Sequence, residues 1–211
     1  MIELDIFSDT VCPWCYIGKK RLEKAINNHK NLEFKQTWRP FQLNPGMPPD
    51  GMDRQEYLIS KFGSADAAKT IYDSIYDEGL LEGINFNFDS IQTTPNSFNS
   101  HRLLALAYKQ GIQENVLDSL FESYFLNGED IGDPNTLLDI AIKHQIDAED
   151  FKTYLSDQEN IEPLANEEIE ARKMGINSVP TFIVNKQIVI NGAQTSENFD
   201  IIFKKLTNNI N

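Results

Sequence analysis

The sequence predicts an α/β protein in which a small sheet domain is interrupted by a large helical insertion. Three observations lead to this prediction: a strand-helix-strand pattern at the start, a series of helical patterns in the middle, and two short extended segments before a final helix. The predicted order is therefore β-α-β, then helices, then β-β-α. We assign residues 1–44 to the first part of the sheet domain, 45–160 to the insertion and 161–211 to the second part.

The first unit follows from alternation and helix-start chemistry. Residues 3–7 (ELDIF) alternate between polar and apolar, as a half-buried strand does. Residues 8–10 (SDT) supply turn and capping chemistry, and Pro13 suits a first helical turn because it lacks a backbone N–H. A helix should therefore begin at Cys12-Pro13. Residues 32–38 (LEFKQTW) alternate again, and the connecting helix favours a parallel pair of strands.

The middle of the chain has the periodicity of helices. A proline- and glycine-rich passage at 44–51 breaks regular structure before this change. The predicted helices of the insertion cover residues 54–62, 65–78, 95–110, 115–126, 134–145 and 149–155. We expect an insertion made of helices alone.

The last part of the chain returns to extended structure. A helix is predicted at 164–174, followed by strands at 181–184 and 187–190. The two-residue link Asn185-Lys186 between these strands predicts a β-hairpin. An amphipathic helix, capped by Thr195 or Ser196, closes the chain.

The charge and the first residues limit the partners and the location. Lysine and arginine number 19 against 32 aspartates and glutamates, and the net charge of −13 repels nucleic acid and anionic lipid. No stretch approaches the roughly 20 consecutive apolar residues of a membrane helix. The chain starts with a strand pattern and not with a secretion signal, so we expect a cytoplasmic protein that binds neither nucleic acid nor membranes.

Cys12 and Cys15, the two cysteines of the chain, have three competing interpretations. A zinc site needs four ligands, and the three histidines (His29, His101 and His144) are scattered. A structural disulfide would close a very short loop in a reducing compartment, where it would stabilise little. A redox-active pair is favoured, and it needs neither a metal nor an organic cofactor.

The position of each cysteine predicts its role. Cys12 lies at a helix N-terminus, where free backbone N–H groups favour a thiolate, so it is the predicted attacking sulfur and we expect it to be exposed. Cys15 lies one turn later on the apolar face and is the predicted resolving sulfur. Trp14 offers either an aromatic contact beside the reactive sulfur or an ordinary core contact. Three further polar residues are interpreted as structural or surface contacts: Arg39, His101 and Arg102.

The cysteine motif and a distant proline carry a family resemblance. The motif Cys12-Pro13-Trp14-Cys15, together with Val179-Pro180 before a late strand, resembles the thioredoxin fold in its DsbA-like form. The strings SDTVCPWCYIGKKRLE, WRPFQLNP, residues 95–104 and VPTFIVNKQIVINGAQ resemble the FrnE-like subfamily. The resemblance implies a thioredoxin-like fold and thiol-disulfide exchange on protein or peptide substrates, with glutathione as a further candidate partner.

The resemblance also assigns supporting roles. It implies that Pro180 is cis and lies against the sulfurs, and that Val179 offers backbone groups to an extended substrate. Thioredoxin-like proteins tend to have a buried acid in the first strand that takes a proton from the resolving cysteine. Asp5 is the candidate for that acid, although strand alternation equally allows it to face solvent.

Two other functions remain open at this level. DsbA-type sites often carry a histidine between the cysteines, and this chain does not, so the resemblance does not imply a strongly oxidising potential. The kappa-class glutathione transferases and hydroxychromene-carboxylate isomerases form a related branch, with a serine in place of Cys12. One alternative is therefore a glutathione-dependent isomerase or transferase, and the other is a redox-sensing or chaperone-like binding protein.

Overall fold

The structure, a computed structural model, describes residues 1–208 and contains a four-stranded sheet, a helical insertion and a short two-stranded sheet. The elements in chain order are β1 (Ile2–Ser8), α1 (Pro13–Asn28), β2 (Phe34–Pro40), β3 (Met52–Asp53), α2 (Arg54–Phe62), α3 (Ala65–Leu81), β4 (Thr93–Thr94), α4 (Phe98–Lys109), α5 (Gln113–Phe125), α6 (Pro134–Lys143), α7 (Ala148–Ser156), α8 (Ile161–Lys173), β5 (Thr181–Val184), β6 (Ile188–Asn191) and α9 (Ser196–Asn208).

The four-stranded sheet has the order β2-β1-β5-β6. Strands β1 and β2 are parallel, whereas β5 pairs antiparallel with both β1 and β6. Asn185 and Lys186 have positive φ angles of 49° and 57°, which a two-residue hairpin of type I′ requires. The predicted α/β class, the β-α-β and β-β-α units and the hairpin are confirmed.

The alternation of β1 places two different clusters on the two faces of the sheet. Leu4 and Ile6 point into the main core, which includes side chains of α1 and α9. Phe7 points to the other face, where it packs with Phe41, and with Ala171 of α8. Burying each large apolar side chain stabilises the folded state by about 1.5–3 kcal/mol. A shift of β1 by one residue would turn these side chains to the other face, so their burial fixes which face of β1 meets α1.

The insertion is mainly helical, but the prediction of helices alone is wrong. Strands β3 and β4 form an antiparallel pair of two residues each, which is too short to leave a periodic pattern in the sequence. Helix α4 begins at Phe98 and not at Pro95, and the Asn96 side chain accepts the Phe98 N–H at 2.9 Å. The boundaries at 44/45 and 160/161 stay predictions.

Polar contacts attach the insertion to the sheet and to α1. Gln113 of α5 accepts the Trp38 N–H and donates to the Trp38 carbonyl, both at 2.9 Å, and so covers the edge strand β2. Lys19 of α1 is 1% exposed, and its Nζ lies 2.7 Å from Asp118 Oδ1 of α5. The Asp118 side chain is 32% exposed, so solvent weakens this ion pair, which joins α5 of the insertion to the helix that carries the cysteines. Within residues 1–208, no helix is long and apolar enough to span a membrane.

Candidate active site

Cys12 occupies the N-cap position of α1, directly before Pro13 in the first turn. Its carbonyl accepts the backbone N–H of Cys15 at 3.0 Å, and its own N–H donates to the Asp9 carbonyl at 3.1 Å. Its sulfur lies at the positive end of the helix, but its side chain makes no capping bond, so the predicted donation from helical N–H groups to this sulfur is not present in the structure. This position is the one that the sequence predicts for an attacking thiol.

The Cys12 sulfur faces the strand that begins at β5. Cys12 Sγ lies 3.8 Å from the Val179 carbonyl oxygen, to which the thiol donates, and the Val179-Pro180 peptide bond is cis. The approach is close because Gly18 has no side chain: an added Cβ would lie 3.0 Å from Pro180 Cγ. The structure therefore brings together the two sequence motifs that lie far apart in the chain.

The exposure of Cys12 differs from the sequence-based expectation. Cys12 is only 4% exposed, whereas the sequence predicts an exposed attacking sulfur. Val11 beside it is also buried, and Val179 packs against the same core. The Cys12 side chain is therefore almost covered by its neighbours.

Cys15 is completely buried in the main core. Burial raises the pKa of its thiol well above the ordinary value of 9.0, and the neighbouring Cys12 raises this pKa further. The hydroxyl of Ser8 and the backbone of Asp9 face this thiol and lower its pKa, but by less than burial raises it. At neutral pH Cys15 is therefore a protonated thiol, as a resolving cysteine is before it reacts.

This burial predicts a loss of stability at alkaline pH. Above about pH 9 the unfolded reduced chain ionises Cys15 while the folded chain keeps the proton, so the folded state binds more protons. The stability that this thiol contributes is complete below its ordinary pKa and is lost as the pH rises toward its folded pKa, by up to ~1.4 kcal/mol per pH unit. Urea unfolding of the reduced wild type and of Cys15→Ala at pH values from about 8 to about 10 measures this difference.

The Cys15→Ala variant is the matched control, because every other titrating group is common to both proteins. We expect the free energy of unfolding to fall more steeply with pH in the wild type than in Cys15→Ala. Parallel curves would contradict the burial of a neutral Cys15.

Asp5 does not contact the resolving cysteine. Its carboxylate lies 2.8 Å from a guanidinium nitrogen of Arg39, which also bonds Glu167 of α8. In β1, Leu4 and Ile6 point into the main core that contains Cys15, because side chains alternate between the two faces of a strand. Its expected role as proton acceptor is thus corrected: Asp5 forms an ion pair on the opposite face.

Trp14 is half-buried, and part of its side chain packs against the main core. The core contact considered from the sequence is therefore present. A contact between Trp14 and a substrate stays a prediction.

Sequence reasoning missed that a buried aspartate of the active-site turn and a buried histidine of α4 lie close together. Asp9, interpreted as a turn residue, is 0% exposed, and its Oδ2 accepts the Leu43 N–H at 2.6 Å. His101 of α4 is 3% exposed, and its Nε2 lies 3.4 Å from Asp9 Oδ1. The signal present in the sequence was an aspartate three residues before Cys12, but nothing there linked it to a histidine of the insertion.

Within the described part of the chain, no three His, Cys, Asp or Glu side chains are grouped so that they could hold a metal ion. The fold and the site together define a class: a thioredoxin-fold protein whose cysteine pair lies at the start of the first helix. The chain belongs to the family of DSBA-like thioredoxin domains, whose model matches residues 3–203.

Three similar proteins were found by sequence or by structure. The uncharacterized protein YwbO of Bacillus subtilis (strain 168) is 27% identical over 208 residues, which cover 94% of each chain. The probable DsbA oxidoreductase SCO1869 from Streptomyces coelicolor has a similar structure, with a TM-score of 0.87 and 28% identity over 97% of this chain and 89% of its own. The cytosolic disulfide reductase DsbM from Pseudomonas aeruginosa, solved with GSH, shares the fold, with a TM-score of 0.68 and 15% identity over 98% of this chain and 99% of its own.

Proposed function

We propose that this protein is a cytoplasmic, FrnE-like dithiol-disulfide oxidoreductase in which Cys12 attacks and Cys15 resolves. The observation that carries the proposal is the pairing of Cys12, at the positive end of α1 against the Val179 carbonyl, with a second free thiol buried one turn behind it. Attack requires a stabilised thiolate, and resolution requires a thiol that external partners cannot reach. Cys12 lies at a helix N-terminus, where an anion is favoured, and Cys15 is completely buried, so each position suits one of these two roles.

The reaction begins with attack on a substrate disulfide. The Cys12 thiolate forms a bond to one substrate sulfur, and the other substrate sulfur leaves with the bonding electron pair. The Cys15 thiolate then attacks Cys12, a Cys12–Cys15 disulfide forms, and the first substrate sulfur leaves as a thiolate. The substrate gains two electrons and the protein loses two. Reversal of the same steps oxidises a dithiol.

The surroundings of Cys12 favour an extended substrate chain. Pro180 has no backbone N–H, so the backbone groups available beside the Cys12 sulfur are those of Val179. These groups can bond an extended peptide there. The low exposure of Cys12, which is 4%, favours a thin peptide segment or a small thiol over a bulky partner. The substrates proposed are therefore peptide or protein disulfides, with glutathione as the small-thiol partner; the shared fold of DsbM, solved with GSH, makes glutathione the first small thiol to test.

Turnover assays test the proposal directly. We expect catalysed reduction of insulin disulfides or of a peptide disulfide, with dithiothreitol or glutathione as the reductant, and no turnover of an aromatic isomerase substrate. Glutathione-dependent conversion of the aromatic substrate without disulfide exchange would support the isomerase or transferase alternative. Peptide binding that is unchanged when both cysteines are replaced, together with absent turnover, would support a binding protein.

A further inference from the structure

The helical insertion contains a cavity of its own. Its volume is about 490 Å³, and sites for small molecules typically measure about 300–1,000 Å³. The walls come from residues 53–58, 65–76 and 86–92, and none of these segments carries a cysteine. The cavity is therefore large enough for a small organic molecule, and it is formed without the cysteine motif.

Arg54, at the start of α2, brings a buried positive charge to this cavity. It is 5% exposed and lines the cavity wall. Its Nη1 donates to Thr94 Oγ1 at 3.1 Å, and its guanidinium carbon lies 4.9 Å from the centre of the Tyr72 ring. A tyrosine ring attracts a cation, but it does not replace a counter-ion. Because a buried charge without an anion is costly, this guanidinium has an unfilled demand for a negative partner.

The other arginines of the described chain have stronger partners. Arg21, Arg39 and Arg172 form ion pairs with carboxylates. Arg102 has no carboxylate, but it donates to backbone carbonyls and asparagine side chains. Within residues 1–208, the polar contacts of the Arg54 side chain are to hydroxyl groups and aromatic rings, and none of its unbonded nitrogens is fully enclosed. Since Arg54 lines the cavity, these nitrogens are available to an anion inside it.

Aromatic rings form the wall beside this charge. Phe86 and Phe88 are stacked with ring centres 4.7 Å apart, and Tyr72 meets Phe88 edge-on at 4.8 Å. Tyr72 contacts both Arg54 and Phe88, so the charge and the rings are contiguous. Aromatic ligands pack well on such walls, by offset stacking or edge-on contact. The cavity consequently favours a ligand with an aromatic ring close to its anionic group.

The charges at the mouth limit the charge of that ligand. Four exposed aspartates and the exposed Lys69 also line the cavity; the aspartates are Asp53, Asp66, Asp73 and Asp89. Lys69 pairs with Asp73 at 2.6 Å, so it adds little positive charge for a ligand. The acidic mouth repels a multiply charged anion such as a phosphate, and the guanidinium inside repels a cation. One negative charge matches the one buried arginine.

We propose that this cavity binds a small aromatic carboxylate. The carboxylate pairs with the Arg54 guanidinium, whose planar fork suits two parallel hydrogen bonds, and the ring packs among Tyr72, Phe86 and Phe88. The inference goes beyond disulfide exchange and does not depend on it, because the cysteines take no part in the site.

A titration followed by amide NMR tests the chemistry of the ligand. The probes are 3-phenylpropionate, its neutral analogue 3-phenylpropionamide and the doubly charged phenyl phosphate. We expect saturable shifts in residues 53–92 with 3-phenylpropionate, and binding at least about 10-fold weaker with the amide, which cannot form a charge-assisted pair with Arg54. Phenyl phosphate should also bind more weakly than 3-phenylpropionate, because of the aspartates at the mouth.

Two kinds of variant test the location. Arg54→Met removes the charge but keeps much of the length of the side chain, and it should weaken 3-phenylpropionate binding by at least about 10-fold. Ala65→Trp tests the site without changing a buried residue: Ala65 is exposed in the first turn of α3 and lines the cavity, so the indole should obstruct the mouth and abolish the shifts. Ala67→Trp is the matched control, since Ala67 is exposed in the same turn but does not line the cavity. It should bind as the wild type does.

Every result bears on the inference. Absence of saturable shifts in the wild type, equal binding of acid and amide, or tighter binding of phenyl phosphate would overturn it. Wild-type affinity in Ala65→Trp, or in a folded Arg54→Met, would overturn it as well. A Cys12→Ser protein should bind 3-phenylpropionate with wild-type affinity, so a failure of the proposed disulfide exchange leaves this site standing and is distinguishable from a failure of the site.

Discussion

Replacing Cys12 by serine is expected to lower the rate of disulfide reduction by at least about 10³-fold, whereas Cys15→Ser should accumulate a mixed disulfide. A serine hydroxyl at the N-cap of α1 does not ionise at neutral pH, so the helix terminus has no anion to stabilise. In Cys15→Ser the attack by Cys12 is intact but no second sulfur completes the exchange. Mass spectrometry after acid quenching, with a peptide disulfide as substrate, measures the adduct on each variant.

The two single variants are controls for each other, since both remove one sulfur atom of the same motif. The burial of the two thiols, 4% exposed for Cys12 and 0% for Cys15, favours adduct formation through Cys12 alone. Equal amounts of adduct on both variants would show that the assignment of attacking and resolving sulfur is wrong.

The second large effect is expected at Gly18, where α1 meets the Val179-Pro180 strand. A Cβ at this position would lie 3.0 Å from Pro180 Cγ and 3.3 Å from Phe182 Cζ. Phe182 is completely buried, so it cannot move aside without disturbing the core. Gly18→Val should therefore lower the free energy of unfolding by about 1–3 kcal/mol through overpacking.

The same substitution should also reduce activity. Any separation of α1 from Pro180 moves Cys12 away from the Val179 carbonyl, which now lies 3.8 Å from the sulfur. A displacement of a reacting group by about 1 Å can lower a rate by up to about 10²-fold. Urea unfolding and insulin reduction measure the two effects on the same sample.

Gly46 provides the matched control for this variant. It lies in a loop, and a Cβ added there would meet no heavy atom within 4 Å, so Gly46→Val should retain wild-type stability and activity. Valine has a higher helix propensity than glycine, so a loss at Gly18 cannot arise from the propensity of α1. A Gly18→Val protein as stable and active as Gly46→Val would mean that the close approach of α1 to Pro180 is not required.

The sequence by itself determined those helices and turns of the protein that depend on neighbouring residues alone. Pro13 in the first turn of α1, the two-residue hairpin at Asn185-Lys186 and the helix over Arg54–Phe62 were predicted from a few neighbouring residues. Periodicity and turn chemistry act over short distances along the chain, so they can be read without knowledge of the fold. The position of Cys12 at a helix N-terminus belongs to the same class of observation.

The tertiary structure alone decided which side chains meet. Asp5 and Ile6 are neighbours in β1, but a strand directs them to opposite faces, so only the packing shows that Ile6 and not Asp5 lies in the same core as Cys15. The burial of Cys12 and the meeting of Asp9 with His101 likewise depend on contacts between segments distant in sequence. Such contacts leave no periodic signal in either segment, because each residue satisfies its local pattern equally well with or without its partner.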